Sequence, residues 1–314
     1  MSIVKLEPGY RDYLWGGHKL VDEFHKNYAG DMLAETWELS CYPDNPSKIA
    51  SGEEKGLTLP DYIGKLGSQI LGTNCRKFED FPILIKFIDA KKPLSIQVHP
   101  DNKYAMEHEG EYGKTEMWYI VDAEPGAFLY YGFEHEIAGN EFEERIKNNT
   151  LEEVLHKAYV KKGETYFIPS GTLHAIGKGI TIAEIQQNSN ITYRIYDYGR
   201  IDKNGKPREL HIAKALDVTK REPVKNIPSA DPHIGICDYF SVDKIYLDGE
   251  NYKTISGVVD EKSFLHVLFC EGEGEIKCGG ERLHFEKGDG FFIGADSGVY
   301  SITGKCEALV TRIP

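Results

Sequence analysis

The segment Pro93–Asn102, with the sequence PLSIQVHPDN, alternates apolar and polar side chains and therefore predicts a β-strand with two unlike faces. The apolar members are Leu94, Ile96 and Val98, and the polar members are Ser95, Gln97 and His99. Burying the polar face is unfavourable unless it meets solvent, a ligand or a metal. Two interpretations stay open from this strand alone: a solvated polar stripe, or a pair of cation ligands formed by Gln97 and His99.

The length and charge of the chain narrow the classes of protein to consider. A chain of 314 residues predicts two domains, which we place at 1–232 and 233–314. The net charge of −13 argues against nucleic-acid or membrane-surface binding, because both need a basic footprint. A small anionic substrate is compatible with this negative net charge, provided that basic residues cluster locally to bind it. We expect a cytoplasmic protein, because the N-terminus has no signal pattern and the six cysteines form no CxxC pair.

Two further predicted strands carry charged residues within apolar runs. Lys86 is embedded in Phe81–Ala90, where it must either reach an edge or meet an anionic partner. In Lys114–Val121, alternation places Lys114 and Glu116 on one face. On the protein surface, such a pair would be an ordinary ion pair. Inside a cavity, Glu116 could be a metal ligand and Lys114 a cationic contact to the substrate.

The second half of the predicted first domain contributes the remaining candidates. They are His174 after the Pro169–Gly171 turn, Glu184 in the strand that follows, and Arg194 in a β-branched and aromatic stretch. Arg194 needs an anion or carbonyl groups for its fork of donors. Helical spacing predicts one helix over Leu57–Gly72 and two short helices within Asn140–Val160, with a capping box from Thr150 to Glu153.

An internal repeat predicts two antiparallel jelly-roll modules in tandem. Gly163–Ile176 resembles Gly288–Ile302, and Glu116–Ala127 resembles Phe264–Glu275. In this alignment His174 faces Tyr300 and Glu116 faces Phe264, so the second copy has aromatic residues where the first has candidate ligands. The repeat therefore favours one metal-binding module and one packing module.

Gln97, His99, Glu116 and His174 would offer a cation two imidazoles, a carboxylate and an amide oxygen. Such a set, with an open position, suits a catalytic Zn²⁺ or a related divalent ion better than a closed thiolate site does. Because these residues are dispersed along the chain, their spacing alone does not establish the site.

The motifs PLSIQVHPDN, KTEMWYI, IPSGTLHAI and NITYR together resemble the type I phosphomannose isomerases, in the short bacterial form. The resemblance covers the whole chain. It implies a mainly β fold of tandem cupin barrels with a few short helices inserted in the N-terminal part. It also implies one zinc ion per chain and interconversion of mannose 6-phosphate and fructose 6-phosphate through an enediolate.

The resemblance assigns roles to particular residues of this chain. It implies zinc ligation by Gln97, His99, Glu116 and His174, and it matches Arg194, Lys114, Lys86 and Glu184 to residues of the family's active site. We expect Arg194, Lys114 and Glu184 to be catalytic, with the choice of proton donor and acceptor open. Ser95, Lys86 and Arg200 are the expected substrate contacts.

Two positions depart from the longer members of this family. Asn190 stands where they have an aspartate, so acid–base work at that position is in doubt. Arg200 replaces a lysine, which keeps the charge and favours bidentate phosphate binding.

Other functions remain open at this point, namely a cupin that binds a sugar phosphate without turnover and a metal-dependent cupin oxygenase. The expected partner is a small phosphorylated hexose, and the expected state is a monomer or weak homodimer.

Overall fold

A computed structural model describes residues 3–201, 205–225 and 232–314. The α-helices are α1 (Lys19–Asp22), α2 (Leu59–Leu66), α3 (Asn102–His108), α4 (Gly139–Lys147) and α5 (Ile212–Val218), and short 3-10 helices span Ser68–Leu71, Thr73–Lys77 and Leu151–Glu153. The first ten strands are β1 (Ile3–Glu7), β2 (Gly9–Arg11), β3 (Glu35–Leu39), β4 (Lys48–Ile49), β5 (Ile83–Ala90), β6 (Ile96–Val98), β7 (Glu116–Ala123), β8 (Phe128–Phe133), β9 (Leu155–Tyr159) and β10 (Thr165–Ile168). The other ten are β11 (His174–Ile176), β12 (Ile180–Gln187), β13 (Tyr193–Tyr196), β14 (His233–Ile236), β15 (Ser241–Asp248), β16 (Thr254–Val259), β17 (Leu265–Cys278), β18 (Glu281–Glu286), β19 (Gly290–Ile293) and β20 (Gly298–Arg312).

The predicted mainly β class is confirmed, and the chain forms two compact units. The first unit comprises Met1–Arg11, His18–Phe87 and Ser229–Pro314, and the second comprises Asp12–Gly17 and Ile88–Pro228. Division at 232/233 stays a prediction, because it follows sequence order whereas the first unit joins segments from both ends of the chain. Within the described ranges, no helix has the length and apolar character needed to cross a membrane.

The first unit contains a nine-stranded sheet that follows the order β14-β15-β20-β17-β19-β1-β4, with β16 and β18 as side branches. Its central strands bury one apolar face, which includes Leu265, Val267 and Phe269 at alternate positions. The ring of Phe269 stacks on that of Phe285 with 3.6 Å between the centroids. This face is a packed core of aliphatic and aromatic side chains.

The second unit presents two sheets. One has the order β13-β6-β11-β8-β9, and in the other β7 lies between β10 and β12. Ile96 and Val98 of β6 are fully buried in an apolar cluster, which confirms the predicted apolar face of this strand. The strand is shorter than Pro93–Asn102, because only Ile96–Val98 pairs as a regular strand.

The helix predicted over Leu57–Gly72 is confirmed in its first part. Thr58 caps α2 by accepting a hydrogen bond from the Asp61 N–H, and a proline in the first turn is compatible with the start of a helix. After Gly67 the chain continues as a 3-10 helix.

The second helix predicted within Asn140–Val160 is wrong. α4 ends at Lys147, a single 3-10 turn follows, and Leu155–Tyr159 is β9, paired with β8. Thr150 makes no side-chain capping hydrogen bond, so the proposed capping box is also absent. The apolar spacing of this short segment fits a strand as well as a helix, and pairing with β8 decides between them.

The register of the two modules corrects the repeat alignment by one residue. In the second unit Ile168 pairs with Glu116, whereas in the first unit the corresponding Ile293 pairs with Leu265. The residue equivalent to Glu116 is therefore Leu265 and not Phe264. A shift of one residue moves a strand side chain to the opposite face, so this correction places Leu265 in the apolar core.

Candidate active site

Three candidate residues lie in a row across neighbouring strands of the second unit. Gln97 on β6 pairs directly with Arg194 on β13 and with His174 on β11. Directly opposed residues of antiparallel strands project from the same face of a sheet. The polar face predicted for Pro93–Asn102 therefore joins the arginine and the second histidine in one line.

The facing sheet contributes the carboxylate. Glu116 begins β7 and is completely buried, and its two oxygens lie 3.6 Å from His99 Nε2 and 3.5 Å from His174 Nε2. One ligand atom from each of these three residues lies within 4.8 Å of the other two. The structure thus brings together three of the four predicted metal ligands with their nitrogen and oxygen atoms converging.

Both histidines are held in the orientation that convergence requires. His99 Nδ1 donates to the carbonyl of Ile191 at 2.7 Å, and His174 Nδ1 donates to the carbonyl of Thr172 at 2.9 Å. A protonated Nδ1 leaves the lone pair on Nε2, which is the form that binds a metal. Burial lowers the pKa of His174 to about 4, so its imidazole is neutral at physiological pH.

A tight turn delivers His174 to this position. Gly171 adopts φ +84°, and a Cβ there would lie 2.9 Å from the Val218 carbonyl oxygen. Its N–H also donates to the His99 carbonyl at 2.8 Å. Only glycine adopts this conformation without strain, which explains the PSGT turn before β11.

Gln97 approaches the cluster through its amide nitrogen, which lies 3.5 Å from His174 Nε2. Its amide oxygen accepts a hydrogen bond from Ser95 Oγ at 3.2 Å, and Ser95 in turn accepts one from Arg194 Nε at 3.2 Å. Ligation through oxygen would therefore require the amide to rotate. The same contacts connect the histidine cluster to Arg194.

Lys114 and Glu184 lie against the carboxylate of the cluster. Lys114 Nζ is 2.6 Å from Glu116 Oε2, 3.3 Å from His99 Nε2 and 3.6 Å from Glu184 Oε1. The indole N–H of Trp118, which pairs across the strands with Glu184, donates to Glu184 Oε2 at 2.9 Å. The predicted cationic contact beside a ligating glutamate is therefore inside the protein, with all of these groups buried.

A group of arginines surrounds Asp197 next to this row. Arg200 contacts the Asp197 carboxylate and donates to the Pro93 carbonyl at 2.7 Å, and Arg208 forms a fork with Asp197 at 2.7 and 2.5 Å. Burial raises the pKa of Asp197, but the hydrogen bonds from Arg208 and Arg200 outweigh it and leave this pKa below its usual value. Burial, then Arg208 and Arg200, lower the pKa of Arg194.

Sequence reasoning missed Arg208 and Asp197. The available signal was the cationic stretch after Arg200, but nothing in that stretch distinguishes one basic residue from another. An isolated antiparallel bridge pairs Ile201 with Pro207, the residue before Arg208. Three arginines and one carboxylate leave a local excess of positive charge in an acidic protein.

Lys86 lies in the first unit. Its Nζ is 3.4 Å from Glu35 Oε2 and 4.8 Å from the centroid of the Trp37 ring, and the side chain is buried. The sequence predicted that Lys86 either reaches the edge of its strand or meets an anionic partner, and in the structure Glu35 is that partner. Its contact with a substrate stays a prediction.

The donor set of this cluster fits a divalent cation. Two imidazoles and a carboxylate match the ligands that catalytic zinc sites use, and oriented histidines are typical of such sites. Glu116 is fully buried beside the two rings, and the Lys114 ammonium at 2.6 Å balances its charge.

Comparisons with known proteins agree with this geometry. Residues 3–126 match the model of the type I phosphomannose isomerase catalytic domain, and residues 232–313 match that of the mannose-6-phosphate isomerase cupin domain. The chain is 36% identical to mannose-6-phosphate isomerase ManA of Bacillus subtilis, covering 98% of both chains. It is 38% identical to mannose-6-phosphate isomerase of Streptococcus mutans, covering 88% of this chain and 87% of that one.

Solved structures give the same result. The crystal structure of mannose 6-phosphate isomerase from Bacillus subtilis superimposes with a TM-score of 0.89 at 35% identity, covering 99% of each chain. A zinc-bound mannose 6-phosphate isomerase shares the fold, with a TM-score of 0.76 at 20% identity and 99% of each chain covered. With relatives this similar over nearly its full length, the chain belongs to the type I mannose-6-phosphate isomerase family.

Proposed function

We propose that this protein interconverts mannose 6-phosphate and fructose 6-phosphate with one zinc ion per chain. The observation that carries the proposal is the convergence of His99, Glu116 and His174 beside a buried lysine–glutamate pair and an arginine group. Aldose–ketose isomerisation needs stabilisation of an enediolate, a proton carrier and a site for the phosphate. Each of these has a candidate among the named residues.

His99, Glu116 and His174 would hold the zinc ion, with Gln97 as a fourth ligand once its amide presents oxygen. A bound zinc ion supplies Lewis acidity, which stabilises the negative oxygen that develops when a proton leaves the adjacent carbon. Zinc is preferred over other divalent ions because two imidazoles, one carboxylate and an open position are typical of catalytic zinc sites.

Lys114 and Glu184 are the proposed acid–base pair. Lys114 Nζ lies 3.6 Å from Glu184 Oε1, so a proton held by one of these side chains lies close to the other. Trp118 fixes the second oxygen of Glu184, which leaves Oε1 as the atom that faces Lys114. Arg194 keeps a permanent positive charge and would stabilise negative oxygen on the substrate.

Arg200 and Ser95 are the proposed phosphate contacts. Arg208 joins them because it shares Asp197 with Arg200 and lowers the pKa of Arg194 through its charge. A phosphate has three anionic oxygens and pairs well with planar guanidinium groups. Asp197 would hold the two arginines in place and offset part of their mutual repulsion.

A coupled assay tests the proposal. Fructose 6-phosphate formed from mannose 6-phosphate is measured on the purified protein, after chelation, and after zinc is added back. We expect turnover that chelation abolishes and zinc restores. Binding of the sugar phosphate without turnover would contradict the proposal and favour a sensor, and oxygen consumption with iron would favour an oxygenase.

Lys114→Met separates catalysis from metal binding at the same site. We expect kcat to fall far more than the zinc content, because methionine keeps the volume of the stem and removes the ammonium group. Parallel loss of zinc and activity would show that Lys114 supports the metal site and is not a proton carrier. Metal analysis and kinetics on one preparation distinguish the two.

The proposal includes a cytoplasmic location and a monomeric or weakly dimeric state. The six cysteines, all within the described residues, are free thiols, which is typical of a reducing compartment. Light scattering across a concentration series measures the oligomeric state, and a stable higher oligomer at low concentration would contradict it.

A further inference from the structure

Gln186 is a buried side chain that neither the family comparisons nor the sequence assigns to the site. It lies on β12 directly opposite Glu116 of β7, and it is completely inaccessible to solvent. Its amide nitrogen donates two hydrogen bonds, to the carbonyls of Gln187 at 2.8 Å and Ser189 at 2.6 Å. Its amide oxygen has no hydrogen-bond partner among the described residues.

The segment that Gln186 holds carries the carbonyl that orients His99. β12 ends at Gln187 and β13 begins at Tyr193, and between them the chain is neither helix nor strand. Within that connection the Ile191 carbonyl accepts the His99 Nδ1–H at 2.7 Å. The position of this carbonyl therefore decides where His99 directs Nε2.

Few hydrogen bonds hold this connection in place. The Ser189 N–H donates to the Gln187 carbonyl at 2.7 Å, and the Ile191 N–H donates to Ser189 Oγ at 3.3 Å. The first of these bonds ends on Gln187, the last residue of β12, whose N–H donates to the Thr115 carbonyl at 3.1 Å, and the second is internal to the connection. The Gln186 amide adds a bond from β12 to the Ser189 carbonyl, and so it ties the connection to the sheet that carries Glu116.

His174 provides a contrast. Its orienting carbonyl belongs to Thr172, whose N–H donates to the Pro169 carbonyl in the tight turn before β11. That carbonyl is fixed by turn geometry and does not depend on Gln186. Loss of the Gln186 donors should therefore affect one histidine of the cluster and leave the other unchanged.

We propose that Gln186 is a positioning residue for the metal centre. It fixes the 188–192 connection so that the Ile191 carbonyl holds His99 with Nε2 toward Glu116 and His174. This proposal rests on the proposed metal-binding function. Residues that orient metal-ligating histidines typically contribute 10–100-fold to metal affinity. Gln186 acts on His99 indirectly, through a backbone carbonyl, so we expect it to contribute about 10-fold to zinc affinity.

Gln186→Met tests the proposal, because methionine keeps the approximate volume and removes both donors. Zinc affinity is measured on metal-free protein by competition with a chromogenic chelator. We expect the dissociation constant to rise about 10-fold relative to the unsubstituted protein. Thr181→Val is the matched control, since Thr181 lies buried on the same strand, and its hydroxyl lacks a hydrogen-bond partner within the described part of the chain.

Nitrogen NMR of ¹⁵N-histidine-labelled, metal-free protein gives a second readout that a general loss of stability would not move. We expect the Nδ1–H form of His99 to lose population in Gln186→Met while the signals of His174 stay unchanged. Unchanged zinc affinity together with unchanged His99 signals would overturn the proposal. Equal changes at both histidines would also overturn it, because they would indicate a general disturbance.

Two further outcomes are distinguishable. If the unsubstituted protein binds no zinc, the proposed function fails, while the His99 signals of metal-free protein still decide the role of Gln186. If Gln186→Met does not fold, Gln186→Leu replaces it, because leucine also removes both amide donors. His99 signals that stay unchanged in Gln186→Leu, with unchanged zinc affinity, would then overturn the proposal.

Discussion

The two modules of this chain share a three-strand arrangement, with β7 between β10 and β12 in one and β17 between β19 and β20 in the other, but they fill their interiors differently. In the second unit the start of β7 places Glu116 among His99 and His174, whereas in the first unit the equivalent position of β17 is Leu265 in an apolar core. Burying polar groups lowers stability unless each is paired, while burying apolar groups raises it. The proposed function therefore assigns the chemistry to one copy, and the other contributes packing.

The strongest way to break this comparison is to give the interior of the second unit the apolar character of the first. We expect His174→Leu to lower kcat by about 1,000-fold or more, because the Lewis-acid contribution of a metal is several kcal/mol. Zinc content should fall with it. Kinetics and metal analysis of the purified variant check the result.

Tyr300→Phe is the matched control for that change, since the repeat aligns Tyr300 with His174 and Tyr300 belongs to the apolar core. Its activity and zinc content should equal those of the unsubstituted protein. If His174→Leu retained both zinc and activity, the two interiors would not differ in function.

The converse change removes packing from the interior of the first unit. Phe269→Ala should lower the free energy of unfolding by about 3–5 kcal/mol, because Phe269 is fully buried and stacks on Phe285. Chemical denaturation measures this loss, and zinc bound per folded molecule should not change. Val258→Ala, at an exposed position of β16, should change stability by less than about 0.5 kcal/mol. A fall in zinc affinity of folded Phe269→Ala would show that this core also serves the metal site.

Sequence reasoning succeeded where the signal was local. The alternation in Pro93–Asn102 identified the strand, its buried face and its polar face from ten neighbouring residues. The three ligands from separate strands needed the family resemblance, since nothing local joins His99 to His174. The repeat alignment erred by one residue because small-residue turns leave the register free, and only strand pairing fixes it.

Features that depend on tertiary contacts were not predictable in this way. Arg208 contacts Asp197 beside the antiparallel bridge of Ile201 and Pro207, a pairing that composition does not indicate. Gln186 resembled any other polar strand residue until its two carbonyl partners were placed. Likewise Leu155–Tyr159 is a strand because β8 pairs with it, although its spacing also fits a helix.

A substitution in the arginine group tests the second unit further, and its expected effect on activity is intermediate in size. Arg208→Met should lower kcat/KM for mannose 6-phosphate by about 10–100-fold, mainly through KM, because a charge-assisted contact to the phosphate is lost. Arg282→Met is the control, since Arg282 forms an exposed ion pair with Glu275 in the first unit. Steady-state kinetics separate KM from kcat, and an unchanged KM in Arg208→Met would remove Arg208 from the phosphate contacts.

The smallest expected effect concerns a buried histidine of the first unit. His266 on β17 is inaccessible, and within the described residues neither ring nitrogen has a hydrogen-bond partner. Burial, with a contribution from the charge of Lys26, lowers its pKa to about 3. The unfolded chain, with an ordinary histidine pKa of about 6.5, therefore binds a proton between these values that the folded chain does not. Stability consequently falls as the pH falls below about 6.5.

His266→Leu should remove this part of the pH dependence. Between pH 7.5 and 5.5 the variant should lose about 1 kcal/mol less unfolding free energy than the unsubstituted protein, as proton linkage for one group predicts. Urea denaturation at the two pH values measures the difference, and His284→Gln, at an exposed position of β18, should behave like the unsubstituted protein. Equal losses in His266→Leu and the unsubstituted protein would mean that His266 takes up its proton in the folded state. The interior of the first unit would then accept the charged His266 ring. The two interiors would differ in the geometry of their metal-ligating side chains, and not in whether they tolerate polar groups.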